Sequence, residues 1–289
     1  MVLSDDNSRV TQAAEGGFTG FRSMLFVPGS RPDRIPKALS SHADAVIIDL
    51  EDAVAASDKE SARRDVNDYL TSDSKASVII RVNSPESQWF SDDLAMCAGQ
   101  AGVSGVMVPK AESADQLTKV TAIGKPVWPL VETVKGVLEL DSLLNVGGVV
   151  RATFGALDLC AELGLTPGSD GAQRILDQCR YNLVMYSFLR DLEPPIESVF
   201  PDFSNAKAIE IAAKRAQEMG FTGMLCIHPN QIDSIHKAFT PDREEVEWAR
   251  KVLSLVAEND AAFRMDGQMI DAPVIARAKK VLARIGEGQ

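Results

Sequence analysis

Acidic side chains follow several short apolar segments of the sequence, at the points where predicted strands end. They occur in the segment Asp49-Leu50-Glu51-Asp52, at Glu132 and at Asp158, while Arg81 and Lys110 lie at the ends of two other segments. Carboxylates gathered at one site repel each other unless a cation lies among them, and Mg²⁺ is usually held by one or two carboxylates together with water and substrate. The sequence therefore predicts a Mg²⁺ site with Glu132 and Asp158 as ligands.

These charged residues also have structural interpretations. Glu132 and Asp158 could cap the helices that follow them, because acidic side chains are favoured at helix N-termini. Arg81 could be an ordinary salt-bridge partner of Glu51.

Two predicted loops carry less specific signals. The turn Gly29-Ser30-Arg31 follows the first predicted strand, and its backbone amides and arginine could hold a phosphate group or simply form a loop. The last predicted strand ends in Cys226-Ile227-His228-Pro229. A single histidine beside a strand end is more often a hydrogen-bonded structural residue than a catalyst, so we assign His228 no acid–base role.

The elements that must position these side chains alternate along the chain. Eight short apolar segments predict strands at 23–28, 45–50, 77–82, 105–110, 127–132, 151–156, 198–200 and 223–228. Most are continuously apolar, as expected for parallel strands that are buried on both faces. Helical patterns include 59–70, 113–123, 136–144, 172–192 and 206–219. Eight such units in a length near the usual ~250 residues predict a (β/α)₈ TIM-type barrel. The alternative is an open doubly wound sheet, although no Gly-x-Gly-x-x-Gly follows the first strand.

The chain continues beyond the eighth unit. We predict a helix over 243–264, a turn at Asp266-Gly267 and a last helix from about 273 to 285. The predicted domains are a disordered arm at 1–20, the barrel at 21–240 and a C-terminal helical extension at 241–289. This extension is either packing material or a lid.

Composition argues against several classes of function. The net charge of −11 and the lack of a dense basic cluster argue against a nucleic-acid partner. The first residues lack the apolar core of a secretion signal, and no segment reaches the ~18 apolar residues of a membrane span. Four cysteines lie far apart without metal-type spacing, which predicts reduced thiols in the cytoplasm.

Seven motifs carry a resemblance to a known family. In the order of the chain they are Phe26-Val27-Pro28-Gly29, Asp49-Leu50-Glu51-Asp52-Ala53-Val54, Arg81-Val82-Asn83, Val108-Pro109-Lys110, Leu130-Val131-Glu132-Thr133, Phe154-Gly155-Ala156-Leu157-Asp158-Leu159 and Cys226-Ile227-His228-Pro229. With them the sequence resembles the citrate lyase β-subunit-like family, which includes malyl-CoA and citramalyl-CoA lyases. The resemblance extends from about Arg22 to Ile285.

The resemblance implies a modified barrel that works as a homotrimer or a hexamer. It implies Glu132 and Asp158 as Mg²⁺ ligands and Arg81 as the residue that binds a keto acid. Glu51 and Asp52 correspond to the family's acidic pair at the mouth of the barrel. Glu51 is expected to orient Arg81 or metal-bound water.

The resemblance also implies two binding regions. The backbone amides of Ala156, Leu157 and Asp158 are expected to receive the substrate carboxylate. Coenzyme A is expected to contact two loops, Gly29-Ser30-Arg31 and His228-Pro229.

A C-terminal lid is the last implied feature. Lyases of this group that use free coenzyme A have a lid whose aspartate reaches into the site of the neighbouring subunit, and residues 266–273 resemble it. The catalytic acid/base then corresponds to Asp271. The same residue could be an N-cap ahead of Pro273 at the start of the last helix, and the two roles are compatible.

The implied function is that of a Mg²⁺-dependent carbon–carbon lyase. It would cleave or form a 3-hydroxyacyl-CoA of the malyl-, citramalyl- or citryl-CoA type, with acetyl-CoA or another acyl-CoA and a 2-keto acid as the other side of the reaction. The alternatives are a citrate lyase component that acts on citryl groups bound to an acyl-carrier protein, a class II pyruvate-type aldolase, and a non-catalytic scaffold. The expected partners are these small molecules and further copies of the chain, with no nucleic acid and no membrane.

Overall fold

A computed structural model of the chain describes residues 20–256 and 263–286. Contacts divide it into two compact units, and each is described here by itself. The first unit spans Phe21–His236, and the second contains the described residues from Lys237 on. The predicted arm at 1–20 lies outside the described residues except for Gly20. No helix in the described part of the chain is both long and apolar enough to cross a bilayer.

The first unit alternates strands and helices along its whole length. Its strands are β1 (Ser23–Pro28), β2 (Ala45–Asp49), β3 (Val78–Arg81), β4 (Val103–Val108), β5 (Val127–Val131), β6 (Thr153–Phe154), β7 (Ile196–Glu197) and β8 (Gly223–Cys226). Its helices are α1 (Ile35–Leu39), α2 (Lys59–Ser72), α3 (Phe90–Gly99), α4 (Ala114–Thr121), α5 (Val134–Leu138), α6 (Leu140–Leu144), α7 (Ala156–Glu162), α8 (Asp170–Leu189) and α9 (Ala206–Glu218), followed by α10 (Ile232–Phe239).

The eight strands form a closed parallel barrel. They pair in chain order, and β1 pairs with β8, so the barrel has no free edge. The predicted (β/α)₈ barrel is therefore confirmed, and the open sheet is excluded. The position predicted for the seventh strand is wrong, because the strand consists of Ile196–Glu197, just before 198–200. Ile196 donates its N–H to the carbonyl of Ala152 over 3.0 Å, whereas the side chain of Ser198 accepts the backbone N–H of Ala156 at the start of α7.

A cluster of buried side chains fills the inside of the barrel. Seven strands contribute to it, through Met24, Ile47, Ile79, Met107, Trp128, Leu130, Ile196 and Leu225. Close packing of such large side chains makes the interior solid instead of a pore. Binding and chemistry must therefore take place at the rim.

The second unit pairs two helices with a short hairpin. Its elements are α11 (Arg243–Val256), β9 (Phe263–Met265), β10 (Gln268–Ile270) and α12 (Ala272–Ala283). The predicted turn is confirmed: Asp266 and Gly267 both have positive φ, 51° and 80°, as in a two-residue hairpin turn. The helix predicted over 243–264 is wrong at its end, because Phe263 and Arg264 belong to β9. Residues 257–262 of that prediction lie outside the described residues.

Candidate active site

Strand parity places polar side chains on the inner face of the barrel, directly above its core. Ile47, Ile79 and Leu130 belong to the interior cluster, and successive side chains of a strand point to opposite faces. Two residues further on, the same face carries three polar side chains, all at least nine-tenths buried: Asp49, Arg81 and Glu132. The carboxyl ends of all eight strands meet at this rim, which makes it the candidate active site.

Arg81 is held in a fork by Asp49 of the neighbouring strand. The register of β2 and β3 places the two residues side by side. Arg81 Nε and Nη2 donate to Asp49 Oδ1 and Oδ2 over 2.7 and 2.6 Å. Burial alone lowers the pKa of Arg81, but the charge of Asp49 and its hydrogen bonds outweigh burial, so the pKa is raised. The guanidinium also lies 4.8 Å from the ring centre of Phe26.

Asp49 has a second task, because it closes the turn after β2. Its Oδ1 accepts the backbone N–H of Glu51 over 2.8 Å, and its Oδ2 accepts that of Ala53 over 3.0 Å. Lys59 fixes the same turn by donating from Nζ to two backbone carbonyls, those of Leu50 and Glu51, over 2.8 and 2.6 Å. The turn and the arginine therefore share one buried carboxylate.

Glu51 lies between two cations. Its Oε1 accepts a hydrogen bond from Lys110 Nζ, and its Oε2 lies 3.2 Å from Arg81 Nη1 without accepting a hydrogen bond from any described residue. Burial is the largest cause of the raised pKa of Glu51. Asp52 is peripheral by comparison: its side chain is 58 % exposed and 3.9 Å from both cations. Glu51 is thus the member of the acidic pair in contact with Arg81 and Lys110.

Glu132 and Asp158 are the two predicted metal ligands. Lys110 has a left-handed backbone, with φ of 48°, and donates its N–H to Glu132 Oε1 over 2.9 Å. A Cβ on Gly155 would lie 2.4 Å from the Cβ of Glu132 and 2.7 Å from its Oε2, so only glycine leaves room for this carboxylate. Burial raises the pKa of Glu132 to about 8, with further contributions from the charges of Glu51 and Asp158. Ionisation of Glu132 would therefore place a third negative charge close to those of Glu51 and Asp158.

The alternative role of these carboxylates as helix caps fails for Glu132. Thr133 is the N-cap of α5, and its hydroxyl accepts the N–H of Gly136 over 3.1 Å. Asp158 lies in the first turn of α7, which has no side-chain cap. An acidic side chain is favoured there by the helix dipole, so its position agrees with either role.

The start of α7 presents backbone amides at the same rim. The N–H of Ala156 is already used, because it donates to Ser198 Oγ over 3.0 Å. The N–H groups of Leu157 and Asp158 lie in the first turn, where amides have no carbonyl partner within the helix. These two amides are consequently better placed than that of Ala156 to receive a carboxylate, and all three assignments stay predictions.

The two loops predicted to bind coenzyme A are neighbours, since they follow the paired strands β1 and β8. Gly29 donates its N–H to the carbonyl of Asp49 over 2.7 Å, and a Cβ there would lie 2.8 Å from Leu50 Cδ2. Arg31 donates through Nε and Nη2 to Asp33, both over 2.8 Å. A phosphate group at Ser30 or Arg31 would therefore have to open this exposed ion pair or share it.

His228 and Pro229 form the start of a short 3-10 turn after β8. His228 Nδ1 accepts the N–H of Asn230 over 3.1 Å, which fixes the ring and leaves the proton on Nε2 when the ring is neutral. This is a structural role, in agreement with the lack of any acid–base assignment to His228. Contact with coenzyme A stays a prediction.

Asp271 is the N-cap of α12. Its Oδ1 accepts the N–H of Val274 over 3.3 Å, and Pro273 lies in the first turn. The prediction that Asp271 is an N-cap is confirmed. Its role as the catalytic acid/base stays a prediction. The hairpin β9–β10 ends directly at this residue.

A model of the family described as HpcH/HpaI aldolase/citrate lyase matches residues 22–229, which include the whole barrel. The chain belongs to this family. The described elements that match run from β1 to the turn after β8, so the family match contains all the site residues discussed above except Asp271.

Individual members of the citrate lyase family extend the similarity to nearly the whole chain. A citrate lyase subunit beta-like protein of Mycobacterium tuberculosis is 34% identical over 265 residues, covering 91% of this chain and 95% of that one. A (3S)-malyl-CoA thioesterase of Cereibacter sphaeroides is 29% identical, with coverages of 91% and 94%. The crystal structure of M. tuberculosis CitE in complex with magnesium, acetoacetate and coenzyme A has a TM-score of 0.80 and 32% identity, covering 94% of this chain and 99% of that one.

Several residues that hold this family site together were not singled out from the sequence. Asp49 lies in the acidic segment, and its two-residue spacing from Ile47 could have indicated that it points inward. Asp93 is fully buried on α3 and accepts both the backbone N–H and the Nδ2 of Asn83, over 2.8 and 2.7 Å. Its other oxygen accepts from Arg63 over 2.8 Å. A helical aspartate far along the chain gives no local signal of this contact.

The raised pKa of Glu132 predicts how the stability of this protein, without bound metal, depends on pH. The folded protein keeps a proton on Glu132 up to a pKa of about 8, whereas the ordinary value is 4.5. The stabilisation that comes from this bound proton is fully present below pH 4.5, and it is lost as the pH rises through the pKa of the folded state. We expect the free energy of unfolding to fall by up to ~1.4 kcal/mol per pH unit in between.

The measurement is thermal unfolding in chelator across this pH range, for the wild type and for Glu132→Gln. The variant keeps a neutral side chain and can still accept the N–H of Lys110, so its melting temperature should fall less steeply. Parallel pH curves for the two proteins would contradict the assignment of the linked proton to Glu132.

Proposed function

We propose that this protein is a Mg²⁺-dependent carbon–carbon lyase. Its substrate is a 3-hydroxyacyl-CoA of the malyl-, citramalyl- or citryl-CoA type, which is cleaved to acetyl-CoA or another acyl-CoA and a 2-keto acid. The observation that carries the proposal is the position of Arg81 at the same rim as Glu132 and Asp158. An arginine beside two carboxyl groups is suited to a divalent cation that has an anionic oxygen ligand.

The donor set fits Mg²⁺. Glu132 Oε1 is engaged by an amide, and Oε2 faces the space that Gly155 leaves open. Among the described residues, no group of three or more His, Cys, Asp or Glu side chains is arranged as a metal site. Two carboxylates suit Mg²⁺, which usually keeps several positions for water and substrate. The CitE structure from M. tuberculosis holds magnesium, acetoacetate and coenzyme A, and we carry this ligand set over to this chain.

The residues of this chain divide the chemistry between the two halves of the substrate. Mg²⁺, when bound, acts as a Lewis acid on the hydroxyl and carboxylate oxygens of the substrate. Glu132 and Asp158 hold it. Arg81 and the amides of Leu157 and Asp158 stabilise the negative charge on the keto-acid half, and a donor fixed in advance is most effective where charge develops.

Cleavage then requires one proton to leave and another to arrive. The hydroxyl proton passes to solvent water and the hydroxyl oxygen becomes the keto oxygen, while the electron pair of the broken carbon–carbon bond passes to the thioester half as an enolate. Asp271 gives a proton to the enolate carbon. We propose that this aspartate comes from the neighbouring subunit of a homotrimer or hexamer. The reverse reaction uses the same residue as a base.

The cellular setting that we propose is the cytoplasm. The four cysteines are free and buried, as expected in a reducing compartment.

The first test supplies malyl-, citramalyl- and citryl-CoA to the purified protein, with Mg²⁺ or with chelator, and measures released keto acid. We expect one thioester to yield keto acid, and we expect chelator to stop the release and added Mg²⁺ to restore it. Free thiol is measured in parallel, because one relative is named a thioesterase. Silence with all three substrates would favour a carrier-protein complex or a scaffold, and keto-acid release that chelator leaves unchanged would contradict the metal assignment.

A further inference from the structure

Arg151 lies inside the barrel, at the end away from the candidate active site. Its guanidinium carbon is 5.7 Å from the ring centre of Trp128, a member of the interior cluster, and 5.9 Å from that of Phe21. Trp128 comes before Leu130 and Glu132 on the inner face of β5, which places it near the amino-terminal end of the barrel. Arg151 is 4% exposed and is therefore a cation in the barrel interior.

Only part of this guanidinium is compensated. Nη2 donates to Glu193 Oε2 over 2.8 Å, but the side chain of Glu193 is 66% exposed, so water screens its charge. Nε and Nη1 are buried and donate no hydrogen bond to any residue that the structure describes. Burial lowers the pKa of Arg151, and the charge of Glu193 does not outweigh it. Such an arginine needs a further acceptor, because buried charges are normally paired and hydrogen-bonded.

Arg180 shows the usual arrangement of a buried arginine. Its three nitrogens all donate, to Glu197 and to Asp177, over 2.7 to 3.2 Å. Its guanidinium carbon also lies 5.4 Å from the ring centre of Phe154. Burial lowers the pKa of Arg180 too, but the charges and hydrogen bonds of the two carboxylates outweigh burial, so the pKa is raised. The two free nitrogens of Arg151 are therefore not a general consequence of burial against an aromatic ring.

The indole of Trp128 adds a third buried donor. Its Nε1 has no hydrogen-bond partner among the described residues, and Trp128 is 2% exposed. A Cβ on Gly105 would lie 2.8 Å from this nitrogen, so glycine on β4 keeps the edge of the indole free of a side chain. Trp128 and Arg151 thus bring three unpartnered nitrogens to one end of the barrel, and all three are donors.

We propose that Arg151 and Trp128 bind a small monovalent anion of the halide type at the amino-terminal end of the barrel. Three donors and a partly compensated positive charge disfavour a cation. A water molecule would bring two hydrogens that need acceptors of their own, whereas a halide accepts from several N–H groups and has no hydrogen to place. The anion is small because packed side chains enclose the site, and it is monovalent because Glu193 already supplies part of the compensation. This site is independent of the proposed lyase function.

The first experiment measures the melting temperature of the purified protein while sodium chloride replaces sodium gluconate at constant total salt. Gluconate carries the same charge but is too large for an enclosed site. We expect chloride to stabilise the wild type with the dependence of a single site, because a ligand that binds only the folded state stabilises it. Arg151→Met should lose this dependence. Arg180→Met is the matched control, since it removes a buried arginine without free donors and should keep the dependence.

Two further variants test the site without removing Arg151. Glu193→Gln removes the exposed carboxylate that shares the guanidinium, so the apparent Kd for chloride should fall about 2- to 5-fold, in line with the modest strength of an exposed ion pair. Trp128→Phe keeps an aromatic ring but removes Nε1, so the Kd should rise by about 10-fold or more. Residues that only pack together would not change the Kd in these opposite directions, and an unchanged Kd in both variants would contradict the inference.

Bromide gives a direct readout, because it scatters X-rays anomalously. Crystals grown in sodium bromide should show an anomalous peak within hydrogen-bonding distance of Arg151 and Trp128. The inference is wrong if the wild type responds equally to chloride and gluconate, if Arg151→Met keeps the chloride dependence of the wild type, or if the crystals show only water beside Arg151.

Discussion

Replacing Arg81 by lysine is expected to lower kcat for keto-acid release by about 100- to 1,000-fold, the usual effect of removing a donor that stabilises developing charge. Lysine keeps the positive charge but has no planar fork. It cannot satisfy both oxygens of Asp49 and still present a donor to the substrate. The measurement is kcat in the keto-acid assay, with the melting temperature recorded for the same sample.

The melting temperature matters because breaking a buried ion pair can cost ~3–5 kcal/mol of stability. A matched control is Arg22→Lys: Arg22 makes the same kind of fork with Asp44, over 3.1 and 3.0 Å, at the opposite end of the barrel. We expect that variant to lose some stability and little activity. Equal losses of kcat in both variants, or an unchanged kcat in Arg81→Lys, would contradict the role assigned to Arg81.

Asp271→Asn should abolish measurable turnover, because general acid–base catalysis contributes about 100- to 10,000-fold. Asparagine is as good an N-cap as aspartate, so the cap of α12 and the melting temperature should be preserved. Binding of Mg²⁺ and of a keto acid, measured by calorimetry, should also be unchanged. The substitution thus separates the catalytic role of this residue from its structural one.

A more direct readout is the exchange of acetyl-CoA methyl protons with deuterium from the solvent. The wild type should catalyse this exchange in the presence of a keto acid, and Asp271→Asn should not. Turnover or exchange at the wild-type rate in the variant would leave Asp271 with its capping role alone. Loss of keto-acid binding would instead place the residue in substrate recognition.

The barrel could be predicted from the sequence because most of its strands are short, continuously apolar and flanked by polar loops. The seventh strand was misplaced because it has only two residues, one of them the charged Glu197. That carboxylate is buried by pairing with Arg180 of α8 over 2.7 Å, a contact between distant positions that no local pattern reveals. The end of the helix predicted over 243–264 failed for a different reason. The Asp266-Gly267 turn indicates a hairpin, but the predicted helix includes Phe263 and Arg264, which form the first strand of that hairpin.

The candidate site could likewise be predicted only in part. Acidic residues at strand ends were visible in the sequence, so Glu132 and Asp158 could be predicted as a pair. The ion pair of Arg81 with Glu51 was visible in the sequence as well and is present over 3.2 Å. The fork of Arg81 with Asp49 could not be predicted, because it depends on the register of two strands and on which side chain points inward. The engagement of the Ala156 amide by Ser198 likewise required the three-dimensional arrangement of β6 and β7.

The fork between Asp49 and Arg81 has a consequence for the thermodynamics of binding. A free arginine side chain loses rotamer entropy worth up to ~2 kcal/mol when it is immobilised. Here Arg81 is immobilised when the barrel folds, because Asp49 holds two of its nitrogens in the absence of any ligand. Little of that entropy remains to be lost when a carboxylate arrives, so a small keto acid with few contacts can still be held in a defined orientation.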